Sequence, residues 1–126
     1  MRTSQEFSNA PLEIGSARNF VSETLVGVAQ EAIEDTCLMV SELATNCVRH
    51  TSSRFVVRID QMAESLRVEV ADGGGGEPVL RPIQMTEPGG RGLRIVQSLS
   101  DQWGVIPSSA TSGKLVWFTL ALPKPA

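Results

Sequence analysis

The stretch from Gln30 to His50 constrains this chain most. Ile33, Cys37, Val40, Ala44, Cys47 and Val48 recur there within one angular stripe at about 100° per residue. That spacing predicts a long amphipathic helix, which needs a second layer to cover its apolar side.

The covering layer is legible further on. Phe55, Val57 and Ile59 alternate with Val56, Arg58 and Asp60, and after a polar break Leu66, Val68 and Val70 alternate with Arg67, Glu69 and Ala71. Two strands joined as a hairpin follow from this period of two. Upstream, Arg2 to Phe7 reads as a short strand ended by Asn9, Ala10 and Pro11, and Ser16 as the cap of a helix carrying Ala17, Phe20, Val21 and Leu25 until Gly27 breaks it. Downstream, Leu93, Val96, Leu99 and Trp103 restart a helical stripe, and Gln102 to Ile106 leads into a strand paired with Leu115 to Leu122. The expected fold class is α+β, a two-layer sandwich with helices on one face of a mostly antiparallel sheet.

At 126 residues, 41% hydrophobic and 20% charged, the chain has the balance of one soluble globular domain. It contains no membrane-length apolar run and no signal-peptide-like N-terminus, so the expected location is cytoplasmic. A net charge of -3 offers no footprint for nucleic acid or a membrane surface. Cys37 and Cys47 stand ten apart on the long helix, about 15 Å of rise, which is too far for a disulfide. Both are expected to be reduced, buried and inert, and Trp103, Trp117 and Phe118 are expected in the core.

Three groups of residues carry chemistry. Glu42, Asn46 and His50 stand four apart and form a polar ledge on the long helix, centred roughly 150° from the apolar stripe. A carboxylate one turn from an amide suits a site where oxygen atoms hold Mg²⁺ and a base activates a nucleophile, although a solvated helix face has the same composition. Asp72 directly follows a strand and opens a run of glycines from Gly73 to Gly76. A flat ligand can approach such backbone closely while the carboxylate accepts a hydrogen bond from an exocyclic amine; a plain turn is the alternative. Gly89, Gly90, Arg91 and Gly92 precede the helical stripe at Leu93, where backbone N–H groups and a guanidinium suit phosphate, or merely start a helix. The segment from Asp72 to Gly92 contains seven glycines and three prolines and is too long for an ordinary turn.

The order of these parts resembles the GHKL ATPase superfamily of histidine kinases, gyrase-type proteins and certain chaperones. Val40-Ser-Glu-Leu-Ala-Thr-Asn-Cys-Val-Arg-His50, Val70-Ala-Asp-Gly-Gly-Gly-Gly76, Gly90-Arg-Gly-Leu93, and Trp103-Gly-Val105 with Val116-Trp-Phe118 look like the small bacterial anti-sigma-factor serine-kinase branch. The resemblance spans nearly the whole chain and implies the histidine-kinase-like ATPase, or Bergerat, fold.

It also implies roles. Asn46 would coordinate Mg²⁺, Glu42 would be the general base, and Asp72 would recognise the adenine amine, with Gly74 and Gly76 shaping the base pocket. Gly90, Arg91, Gly92 and Leu93 would meet the phosphates of ATP beneath a short lid from Glu77 to Gly89. The run of pure glycine after Asp72 departs from the family, where polar or acidic residues are more common. His50 is read as holding the helix end. The implied function is an ATP-binding serine/threonine protein kinase that sequesters a sigma factor and phosphorylates an anti-sigma-factor antagonist; family members commonly form homodimers. The alternative is a non-catalytic module whose partner binding depends on nucleotide. A histidine-kinase catalytic domain would need a preceding helical hairpin, and gyrase-type machines a large transducer domain.

Overall fold

The computed structural model describes residues 1–73, 90–107 and 113–122. The elements run β1 (Arg2–Phe7), α1 (Leu12–Thr24), α2 (Gln30–His50), β2 (Phe55–Gln61), β3 (Ser65–Asp72), α3 (Gly90–Leu99), β4 (Gln102–Pro107) and β5 (Lys114–Ala121). Five strands form one sheet in the order β1-β2-β3-β5-β4, and every neighbouring pair is antiparallel. The helices pack on one face, with α2 contacting both α1 and α3. The expected α+β sandwich is therefore what forms.

Strand alternation builds the core. Phe7, Phe55, Val57, Ile59, Leu66, Val68, Val70, Val116 and Phe118 turn toward the helices and are buried. Full burial of each such side chain is worth about 1.5–3 kcal/mol. Phe7 stacks on Phe55 with ring centroids 5.3 Å apart and meets Phe20 edge-on at 6.0 Å, which joins the edge strand to both layers.

Four expectations change. First, α1 begins at Leu12, four residues before Ser16, because Pro11 already has helical angles (φ -55, ψ -34) and serves as its start. The helix ends at Thr24, with Leu25 already extended, and not at Gly27, which lies beyond it with φ +72, a conformation that disfavours side chains.

Second, α2 has the expected bounds but a different buried side: Ala32, Thr36, Met39, Val40, Leu43, Ala44 and Cys47 are buried. Ile33, Cys37 and Val48 are only partly so. Wedged among the sheet, α1 and α3, this helix buries more than one stripe. By the same angular arithmetic, the buried side is centred about 85° from the Glu42, Asn46, His50 ledge.

Third, Trp103 belongs to β4 and not to the α3 stripe, although it packs against the core as expected. Fourth, Trp117 lies on the sheet face away from the helices, out of phase with buried Val116 and Phe118. Its ring fills the space where Gly104 lacks a side chain; a Cβ there would lie 2.7 Å from the indole nitrogen. Arg67 covers it at 4.5 Å, a cation–π contact. Arg67 and Arg58 both bond Glu69, at 3.2 and 2.7 Å.

Candidate functional site

Asp72 is the last residue of β3, in phase with Val68 and Val70, so its carboxylate turns toward the helix layer. The side chain is 3% exposed. The Cys47 thiol donates to its Oδ2 at 3.8 Å, and Lys114 Nζ lies 3.7 Å from the same atom. Cys47 immediately follows Asn46 on α2, and Lys114 opens β5. The strand end is thus joined to the ledge helix by one contact and to the last strand by another.

The electrostatics follow from burial. Desolvation first, and the Asp72 charge second, push the Cys47 thiol from 9.0 up to about 12, while Lys114 pulls the other way. Cys47 is therefore a neutral hydrogen-bond donor, reduced and buried as expected. Cys37 differs: it is half-buried beside α1, with Sγ 3.4 Å from Ser22 Oγ and donating to the Arg18 carbonyl at 3.7 Å. The side of α2 facing the core is rotated away from it.

A polar clasp fixes the corner. Asn9 Nδ2 donates to the carbonyls of Cys47 (3.2 Å), Thr51 (3.1 Å) and Ser53 (2.9 Å). The Gly73 N–H donates to Ser53 Oγ at 2.8 Å. The end of α2 and the backbone leaving β3 therefore share one anchor. His50 is exposed, and the helix end is closed by Asn9 together with Thr51, whose hydroxyl donates to the Cys47 carbonyl at 2.8 Å.

Glu42 and Asn46 are half-buried one turn apart on α2. Glu42 also lines a groove of about 410 Å³ between α1 and α2, with Arg18, Ser22, Cys37, Leu38 and Ser41. Neither Asn46 nor Asp72 lines that groove. The helix expected from Leu93 starts at Gly90, so Gly90, Arg91 and Gly92 form its first turn, whose backbone N–H groups have no intrahelical acceptor. Leu93 is buried in the core. Gly74, Gly76, Gly89 and the expected lid from Glu77 to Gly89 lie outside the described residues, as does the side chain of Arg91.

Sequence reading missed Lys114 and Asn9. Lys114 is in phase with Val116 and Phe118, but only the pairing of β5 with β3 reveals what it faces. Asn9 looked like ordinary turn material. Among the described residues, no group of three or more His, Cys, Asp or Glu side chains could hold a metal ion by itself.

The chain aligns over 89% of its length with the Erythrobacter litoralis EL346 blue-light activated histidine kinase, at TM-score 0.64 and 24% identity, covering 41% of that chain. It aligns over the same share with a histidine kinase domain from that protein, at TM-score 0.55 and 24% identity, covering 60% of it. The chain thus spans less than two thirds of either structure, and the likeness is one of fold. No curated protein matches it. The sequence from residue 7 to 120 matches the family model described as the histidine kinase-like ATPase domain. That match covers most of the chain, and this chain belongs to the histidine kinase-like ATPase domain family.

Proposed function

We propose that this chain binds ATP with Mg²⁺ and acts as a serine/threonine protein kinase of the anti-sigma-factor type. The observation that carries the reading is Asp72: a carboxylate 3% exposed at a strand end, turned toward the helix layer and joined to the helix that bears Glu42 and Asn46. A carboxylate held at that place can accept a hydrogen bond from an exocyclic amine.

In this reading Asp72 orients the base, and the Asn46 amide oxygen holds the cation. The first-turn N–H groups of α3, with Arg91, bind the phosphates. When bound, Mg²⁺ neutralises phosphate charge during transfer. Glu42, one turn before Asn46, takes the proton from the attacking hydroxyl. Gly74 and Gly76 shape the base pocket, and Leu93 packs the phosphate-binding helix against the core. The expected protein partners are an anti-sigma-factor antagonist bearing the acceptor serine and the sigma factor itself.

Incubation of the purified chain with labelled ATP, Mg²⁺ and a candidate antagonist tests this. Label on the antagonist, lost in Glu42→Gln while ATP binding persists, supports the kinase. Unchanged transfer by Glu42→Gln would remove the base assignment. Nucleotide-dependent capture of the antagonist without label would favour a regulatory binding module.

A further inference from the structure

The antiparallel register that pairs Ala71 with Leu115 brings the next residues, Asp72 and Lys114, together on the face turned to the helices. Lys114 Nζ stands 3.7 Å from Asp72 Oδ2, within ion-pair range but longer than a charge-assisted hydrogen bond. The lysine side chain is 35% exposed where the carboxylate is 3% exposed, so the cation stands at the more open side of the pair. Its first duty is to compensate a buried negative charge. An ammonium, however, carries three donors, and contact with one carboxylate oxygen does not use them all.

We infer that Lys114 is a second base-reading residue, donating to the ring nitrogen beside the amine that Asp72 accepts. The inference rests on the nucleotide reading above. Adenine presents these two groups on adjacent atoms of one edge, a donor amine and an acceptor N1. An acceptor and a donor side by side are their complement, and bases are commonly read along that edge. A lone carboxylate would recognise the amine and ignore N1. The pair reads both, and so selects the donor–acceptor pattern and not merely an amine.

Calorimetric titration with Mg²⁺ present decides the matter, using ATP and its 1-deaza analogue, which keeps the amine but replaces N1 by C–H. The native protein is expected to bind ATP on the order of tenfold more tightly than the analogue, the worth of one hydrogen bond to a charged group. In Lys114→Met, ATP affinity should fall until the two ligands bind alike. Lys114→Arg should keep the preference. Equal affinities in the native protein, or a preference that survives in Lys114→Met, would overturn the inference and leave ATP binding standing. Failure of the native protein to bind either ligand would overturn the nucleotide reading, and this inference with it. Should Lys114→Met not fold, the native ratio and its retention in Lys114→Arg still decide.

Discussion

The thiol of Cys47 and the carboxylate of Asp72 meet at 3.8 Å, joining the helix that carries Glu42 and Asn46 to the strand end proposed to read the base. The contact requires a protonated thiol, and burial beside a negative charge supplies the reason, with the pKa pushed up to about 12. A raised folded-state value means that the contribution to stability is fully present below the unfolded value near 9.0 and is lost as pH rises toward 12. In that window this group alone should lower stability by about 1.4 kcal/mol per pH unit. Urea titrations from pH 8 to 11 should show a steeper alkaline loss for the native chain than for Cys47→Ala. Parallel slopes would contradict the assignment.

Asn9 should matter more than its place in a turn suggests. Its amide serves three backbone carbonyls, at Cys47, Thr51 and Ser53. Asn9→Ala is expected to cost about 1–3 kcal/mol, the penalty of buried acceptors losing a donor. Chemical denaturation measures this, and amide exchange at Gly73 should quicken as its Ser53 anchor loosens.

Glu69 gives a prediction of opposite sign. Partial burial raises its carboxyl pKa, but hydrogen bonds from Arg58 and Arg67, reinforced by their charges, outweigh this and hold it below the ordinary value. The contribution is therefore present above the unfolded carboxylate pKa and is lost as pH falls through the lowered folded value. Glu69→Gln should cost about 1 kcal/mol at pH 7. Its stability should fall less than the native chain's on acidification, which denaturation at pH 7 and pH 3 checks.

Much of this architecture was legible along the chain. A period of 3.6 marked the helix at about Gln30 to His50, and a period of two marked the hairpin of β2 and β3, because local repetition records which side a neighbour covers. The buried side of α2 was misplaced because the stripe was drawn through Ile33, Cys37 and Val48, which are only partly buried, whereas Thr36, Met39 and Leu43 carry the buried arc to its other side. Trp117 was misread because apolar character does not say which sheet face a residue takes; its place depends on Gly104 and Arg67. In the candidate site, Glu42, Asn46 and Asp72 stood out through residue type and spacing. Lys114 did not, since a contact between β3 and β5 spans some forty residues and leaves no local signature.

The central claim is that Asp72 accepts a hydrogen bond from the amine of adenine. Calorimetric titration of Mg²⁺ and ATP into the native chain and Asp72→Asn tests it most directly, with circular dichroism confirming that both are folded. The account predicts saturable binding by the native chain and affinity weaker by about tenfold or more in the variant, as loss of a hydrogen bond to a charged group implies. Equal affinity in a folded Asp72→Asn would contradict it.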